Sequence, residues 1–171
     1  LFHGAGLTAK SFQAMVSALP RGLGVTAFDM RGHGATTLEP EDDLSIETLV
    51  ADAHELLATL GMRGDVVFAG HSLGGSVATR LAVKLQESAA AATPMMRLCG
   101  LVVIDAVEGV ALGSIEAGRR VFGERPRFFD TPEAAVKWSL THGPLRGHLS
   151  ASLSVPDQLR RVVDSQTNKP A

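Results

Sequence analysis

Short apolar runs alternate along the chain with segments in which apolar residues recur every three or four positions. The runs are typical of buried strands and the longer-period segments of amphipathic helices. The pattern therefore predicts an α/β fold with a mainly parallel sheet and helices on both faces. The predicted strands cover residues 1–2, 24–28, 65–69 and 100–104; the predicted helices cover 9–19, 45–60 and 73–86, and a loop follows at 88–93.

The helix predicted over 45–60 has the most regular pattern. Ser45 is a suitable N-cap, and Glu47 places a negative charge in the first turn, where the helix dipole favours it. Gly61 then ends the helix, because glycine readily adopts the left-handed conformation of a C-terminal cap.

After Asp105 the pattern changes to short helical segments at 114–122, 132–142 and 156–163, with no strand between them. We expect these segments to form a lid over an α/β core. The predicted division is a partial core over 1–109, a helical lid over 110–160 and a polar tail over 161–171. Because the chain opens at what resembles the end of a strand and closes on unpatterned polar residues, we expect an incomplete fold, truncated at both ends.

The composition is that of one ordinary globular domain. The 171 residues are 45% hydrophobic and 20% charged, with a net charge of −2 and both signs interspersed. This balance predicts neither a nucleic-acid partner nor a membrane anchor, and no metal site is suggested. The lone Cys99 excludes an intrachain disulfide; we expect it to be a core residue in a reducing compartment, the cytoplasm or nucleus.

The sequence FAGHSLGG over 68–75 carries the principal candidate chemistry. Ser72 follows a predicted strand and precedes a predicted helix, which is the setting of a strained turn that exposes a nucleophilic hydroxyl. Gly70 and Gly74 flank it where backbones approach closely, and the Leu73 N–H is a candidate oxyanion donor. The alternative is a glycine-rich helix start with a capping serine.

A second oxyanion donor is expected from the loop HGAG over 3–6, which follows the first predicted strand. The Ala5 N–H is the first choice and the Gly6 N–H the next. A glycine loop can also bind phosphate, but neither GxxxxGK[ST] nor GxGxxG opening a helix is found here.

The charged turn FDMRGHG over 28–34 is interpreted as structural. We expect Asp29 and Arg31 to pair and hold the loop, with His33 in a structural role. Using His33 as the base for Ser72 would conflict with the chain order of this type of site, in which the histidine comes last.

Asp105 is the candidate acid, because it follows an apolar strand next to the nucleophile strand and could orient a histidine. Glu108 is a less well placed rival, and Asp105 could instead cap the following segment.

The base is the missing part. His142 and His148 are the histidines that follow Asp105, and both are more typical of a surface, while His54 lies on an exposed helix face and His71 is expected to point away from the serine. We therefore expect the catalytic histidine to lie in sequence outside this chain.

Together HGAG, DMRGHG and GHSLGG resemble the α/β-hydrolase fold. The segment IDAVEG over 104–109, with ERPRF over 124–128 and AVKWS over 135–139, resembles the protein phosphatase methylesterases. The resemblance extends from residue 1 to about 159. It implies hydrolysis of the methyl ester on the C-terminal leucine of the type 2A protein phosphatase catalytic subunit, without a cofactor, with Ser72 as nucleophile, Asp105 as acid and 110–156 as lid.

The family's catalytic histidine has no counterpart in this chain. Losing one triad member leaves only ~10³ to 10⁴ of the acceleration over water, so the chain alone is expected to be nearly inactive. Two alternatives remain: a small-molecule esterase of the same fold, or a phosphatase-binding fragment without catalysis.

Overall fold

Two parallel strands form the centre of the computed structural model, which describes residues 1–39, 43–89, 96–106, 123–143 and 145–162. Strand β1 is Gly64–His71 and strand β2 is Met96–Ile104, and His71 lies opposite Ile104 at their carboxyl ends. Phe2 extends the sheet through isolated parallel bridges to Gly70 and to Phe28. The order across the sheet is therefore Phe28, Phe2, β1, β2.

The helices begin with a 3₁₀ turn that continues into a short α-helix. Ser45 caps the longer helix α2 (Ile46–Thr59) by accepting the Thr48 N–H at 3.4 Å, and Gly61 follows its end with a φ of +59°, as predicted. The helices are a first 3₁₀ helix (Ala9–Phe12), α1 (Gln13–Ser17), α2 (Ile46–Thr59), α3 (Leu73–Ala89), α4 (Pro132–Thr141), α5 (His148–Ser154) and a second 3₁₀ helix (Pro156–Gln158).

The main core lies between the sheet and the helices α2 and α3. Phe2 is 1% exposed, and its ring meets the rings of Phe28 and Phe68 edge to face, each at 5.4 Å between centroids. Such edge-to-face pairs stabilise the fold beyond the contribution from burying the apolar surface of the rings. The core fixes Phe2, and therefore the loop that follows it, against β1. Its buried members are Phe2, Met30, Leu49, Val50, Ala53, Leu57, Phe68, Val77, Ala78, Leu81 and Ala82.

A smaller core joins α4 to α5. Ala135, Ala151 and Val155 are its buried members. Helix α5 also packs on the first 3₁₀ helix and on α1, and a Lys10–Asp157 ion pair of 2.9 Å joins the two 3₁₀ helices. The described part of the predicted lid is therefore packed against the segment that follows the HGAG loop.

Several element predictions are wrong. The strand predicted over 24–28 is reduced to the bridge at Phe28, because Val25 is exposed at the edge of the sheet. The helix predicted over 9–19 is a 3₁₀ turn and a short helix that ends at Ser17, and the helix predicted from Pro156 is a 3₁₀ turn ending at Gln158. His148 begins α5, in a stretch between two predicted helices where no helix was expected.

Two further predictions concern side chains. Cys99 is exposed, because it lies on β2 where the strand is uncovered. Arg31 pairs with Asp52 of α2, not with Asp29, through two hydrogen bonds of 2.7 Å. Asp29 instead accepts the N–H groups of Ala9 and Ala35.

Other predictions fall on residues that the structure does not describe. These are Glu108, the helix over 114–122, part of the loop over 88–93 and the tail from 163. The division into core, lid and tail stays a prediction.

Candidate active site

Ser72 lies at the junction of β1 and α3 with a left-handed backbone. Its φ is +51°, a conformation that costs an L-residue free energy and is found at functional turns. The Ser72 N–H donates to the Ile104 carbonyl at 2.9 Å, and the Ser72 carbonyl accepts the Gly75 N–H at 2.9 Å. The predicted sharp turn is therefore held from both sides, by the neighbouring strand and by the first turn of α3.

The glycines around Ser72 allow three backbones to meet. A Cβ on Gly70 would overlap the carbonyl of Gly74, and a Cβ on Gly74 would overlap the carbonyl of Phe2. The sequence needs glycine at both positions because no side chain fits there. This contact also brings the start of the HGAG loop against the start of α3.

Leu73 is the first residue of α3, so its N–H lies beyond the reach of an intrahelical acceptor. The 17-residue helix adds the positive end of its dipole at this point. An oxyanion formed beside Ser72 would meet this end of the helix.

The HGAG loop forms a turn that exposes Ala5. The Leu7 N–H donates to the Gly4 carbonyl at 3.1 Å, and Gly6 has a φ of +70°. The Gly6 N–H donates to Nε2 of His33 at 3.0 Å, so the second-choice oxyanion donor is already occupied. Within the described ranges no acceptor is found for the Ala5 N–H.

Asp105 leaves the sheet beside Ser72. Because β1 and β2 are parallel and His71 lies opposite Ile104, the residues that follow them emerge side by side. Asp105 has a φ of +50°, and its side chain is 86% exposed. Among the described residues, Ser72 and Asp105 are the two non-glycine residues with positive φ.

His71 is the neighbour that sequence reasoning missed. Its Nε2 lies 3.9 Å from Oδ2 of Asp105, and its ring lies so close to Gly4 that a Cβ there would come within 2.6 Å of Nδ1. Its position opposite Ile104 in the parallel pair was the signal that could have predicted this contact.

The two downstream histidines have partners within the predicted lid. The His142 ring stacks on Trp138 at 5.9 Å, with its Nδ1 2.7 Å from the Thr141 hydroxyl. His148 Nδ1 lies 3.4 Å from the Ser152 hydroxyl. In the part of the chain that is described, no hydrogen bond or ion pair joins either histidine to Ser72 or Asp105.

His3 is a buried neutral histidine beside the candidate site. Its Nε2 accepts the Met30 N–H at 2.9 Å, and its Nδ1 donates to the Gly4 carbonyl at 2.8 Å. The pKa of His3 is lowered from 6.5 to about 4, mainly by burial and in part by the nearby His33, although the Gly4 hydrogen bond opposes the shift. The uncharged ring therefore joins the Met30 amide to the Gly4 carbonyl through two hydrogen bonds.

Neither a metal cluster nor a membrane-spanning helix is found in the described ranges. They hold no group of three histidine, cysteine or acidic residues suited to a metal ion. None of their helices combines the length and apolar character needed to cross a bilayer.

Comparisons with known proteins find curated relatives over most of this chain. The chain is 34% identical to protein phosphatase methylesterase 1 of Schizosaccharomyces pombe over 96% of this chain and 48% of that protein. It is 33% identical to protein phosphatase methylesterase 1 of Mus musculus over 94% of this chain and 41% of that protein. The chain thus spans about half the length of the curated relatives it matches.

A solved structure supports the fold. The crystal structure of E-2-(acetamidomethylene)succinate hydrolase matches with a TM-score of 0.74 and 25% identity, covering 94% of this chain and 56% of that one. The model of the alpha/beta hydrolase family matches residues 1–167. With a serine in a left-handed turn between a parallel strand and a helix, as that fold requires, the chain belongs to the alpha/beta hydrolase family.

Proposed function

We propose that this chain carries the nucleophile half of a serine carboxylesterase that removes the methyl ester from the C-terminal leucine of the type 2A protein phosphatase catalytic subunit, in the cytoplasm or nucleus. The observation that carries the proposal is the left-handed Ser72 at the head of α3, in a turn that packs against the start of the HGAG loop through Gly74 and lies beside Asp105. The similarity to protein phosphatase methylesterase 1 supports the substrate.

The proposed reaction is acyl transfer in two steps. Ser72 Oγ attacks the ester carbonyl carbon as a base takes its proton, and the N–H groups of Leu73 and Ala5 stabilise the oxyanion. The C–O bond to the methoxy group breaks, and methanol leaves with the proton. Water then hydrolyses the acyl-enzyme to the free carboxylate. Asp105 would orient the base and stabilise its cationic form, and no cofactor takes part.

The base is a histidine that we assign to sequence outside this chain, because among the described residues no histidine side chain is hydrogen-bonded to Ser72. Imidazole in solution offers a replacement, since it can enter an open site and accept the Ser72 proton. The exposed side chain of Asp105 leaves this edge of the sheet accessible.

The test measures methanol released from a peptide ending in leucine methyl ester, with the 171-residue chain and increasing imidazole. We expect a slow rate that rises with imidazole and disappears in Ser72→Ala. Ser76→Ala is the matched control, because Ser76 lies one turn into α3 with an exposed side chain. An imidazole-dependent rate that persists in Ser72→Ala would remove the assignment.

Comparing two ester substrates distinguishes a protein methylesterase from a small-molecule esterase. A methylesterase should prefer the leucine methyl ester peptide to a simple aryl ester of equal reactivity. Equal or better turnover of the aryl ester, unaffected by competing peptide, would favour a small-molecule esterase.

The non-catalytic alternative rests on one observation: in the described part of the chain no histidine bonds to both Ser72 and Asp105. A binding module would take up the phosphatase tail with normal affinity, yet remain unlabelled by a serine-directed fluorophosphonate in the presence of imidazole. Labelling that Ser72→Ala abolishes would contradict it.

A further inference from the structure

His33 and the HGAG loop are joined by a contact that the proposed reaction does not yet use. Nε2 of His33 accepts the Gly6 N–H at 3.0 Å, and Nδ1 of His33 lies 2.8 Å from the Arg31 carbonyl. A carbonyl oxygen can only accept, so Nδ1 carries the ring proton and Nε2 has a lone pair available for Gly6.

The Gly6 N–H belongs to the central peptide of a turn. The turn runs from Gly4 to Leu7, closed by the 3.1 Å bond between them, and its positive φ lies at Gly6, the third residue, as in a type II turn. Type I and type II turns differ mainly by reversal of this central peptide, and glycine tolerates both. The local sequence therefore does not select one orientation.

His33 supplies that selection. With its lone pair facing the turn, the type II orientation gains a hydrogen bond, whereas reversal would aim the Ala5 carbonyl at the same lone pair. The Ala5 N–H belongs to the preceding peptide, between Gly4 and Ala5. Its direction is fixed when the hydrogen bond to His33 prevents the central peptide from reversing.

A reciprocal contact strengthens this arrangement. His3, at the start of the loop, accepts the Met30 N–H at 2.9 Å, and the rings of His3 and His33 meet edge to face at 5.0 Å. Each loop therefore contributes one imidazole acceptor for an amide of the other. Two such bonds resist sliding of the loops past one another as well as rotation of the turn.

We propose that His33 is a positioning residue for the reaction: by accepting the Gly6 N–H it fixes the orientation of the turn that presents the Ala5 amide to the oxyanion. This inference rests on the proposed function. Catalytic donors must be held within a fraction of an ångström, and loss of one oxyanion donor costs about 10² to 10³ in kcat.

Two substitutions distinguish the roles of the two ring nitrogens of His33, donation by Nδ1 and acceptance by Nε2. The Nδ2 group of His33→Asn can still donate to the Arg31 carbonyl, but the side chain has no acceptor at the position of Nε2. The Oε1 atom of His33→Gln can reach the Gly6 N–H. If His33 only stabilised the 29–34 loop, His33→Asn would retain at least as much activity as His33→Gln. His54→Asn, on α2, is the matched control.

The kinetic test measures imidazole-assisted hydrolysis of the leucine methyl ester peptide. We expect His33→Asn to lower kcat by about 10- to 100-fold with KM within about twofold, and His33→Gln to recover most of that loss. Equal losses in both variants, or a change confined to KM, would overturn the proposal.

An NMR test does not depend on activity. In ¹⁵N-labelled protein, a coupling across the hydrogen bond between the Gly6 nitrogen and His33 Nε2 is expected, and the backbone order of Ala5 should fall in His33→Asn but not in His33→Gln. Absence of the coupling, or equal Ala5 order in both variants, would refute the positioning role. A protein that shows the coupling and the Ala5 response but hydrolyses no ester would refute the proposed function alone.

Discussion

At the scale of single residues, the site depends on backbone conformations and close backbone contacts that most side chains would not allow. Ser72 and Asp105 adopt left-handed φ values without being glycine, while Gly70 and Gly74 leave room for carbonyl groups. Such strain persists only where surrounding contacts over-determine it, and here the hydrogen bond from Ser72 to Ile104 is one of those contacts.

Gly74→Ala is expected to destabilise the protein, although alanine normally favours a helix over glycine. The new Cβ would overlap the carbonyls of Phe2 and His3, which are main-chain atoms that cannot rotate away. We expect a loss of ~2 kcal/mol or more in the free energy of unfolding, measured by urea denaturation.

Gly100→Ala is the control for that substitution. A Cβ on Gly100 would meet only Val67 methyl groups at 3.6 Å, an ordinary packing distance. Its stability should change by no more than about 0.5 kcal/mol. Equal losses in the two variants would show that the carbonyl contact is not the cause.

His3 is expected to make stability depend on pH. Its pKa is about 4 in the fold, against 6.5 when unfolded, so between these values the unfolded chain binds the proton first. The free energy of unfolding should therefore fall as the pH drops from 6.5 to 4, by up to ~3 kcal/mol from this group.

The pH prediction is checked by urea denaturation at several pH values in wild type and in His3→Asn. The difference between the two proteins isolates the contribution of His3, because all other titrating groups are shared. A difference that stays constant from pH 7 to pH 4 would contradict the assignment.

At the scale of elements, two bidentate arginine–aspartate pairs show how burial decides the value of an ion pair. Arg31 of the 29–34 loop binds Asp52 of α2, with side chains 8% and 19% exposed. Arg97 binds Asp65 across β2 and β1, with side chains 70% and 62% exposed. Hydrogen bonding to Asp52 raises the pKa of Arg31, so the buried guanidinium remains charged.

Asp52→Asn is expected to lower the free energy of unfolding, because a neutral amide replaces the carboxylate that binds the largely covered Arg31 side chain. Asp65→Asn, with nearly the same geometry at the surface, should lower the free energy of unfolding by much less, because solvent screens an exposed ion pair. Chemical denaturation of both variants provides the measurement. Equal costs would mean that the 29–34 loop is not anchored through α2.

The same pairs indicate what sequence could and could not predict. The cap at Ser45, the stop at Gly61 and the turn at Ser72 are encoded within a few residues, so local patterns predicted them. The Arg31–Asp52 pair joins residues 21 apart, and a nearer aspartate, Asp29, was the wrong choice because it holds the Ala9 amide instead. The His33–Gly6 bond, 27 residues apart, has no local signal either.

At the scale of the whole molecule, β2 is an edge strand of the sheet formed by the described residues. Leu101, Val102, Val103 and Ile104 are each between 38% and 48% exposed, so neighbours that point to opposite faces are both uncovered. Apolar strands with an open edge are templates for pairing with another chain.

We therefore expect the 171-residue chain to self-associate through β2, and Val102→Lys to raise the protein concentration at which association begins. Charged side chains on edge strands oppose such pairing. Leu60→Lys, at an exposed apolar residue beside the end of α2, adds the same charge elsewhere and should have little effect. Analytical ultracentrifugation measures both, and an equal response would point to net charge as the cause.

The left-handed backbone at position 72 also limits which side chains this turn can accept. A β-branched side chain is strongly disfavoured at positive φ, so threonine, although it carries the same hydroxyl, would strain the junction of β1 and α3. Cysteine, unbranched at Cβ like serine, would add no strain beyond that of serine. Replacement of Ser72 by cysteine is therefore compatible with this backbone conformation, whereas replacement by threonine is strongly disfavoured by it.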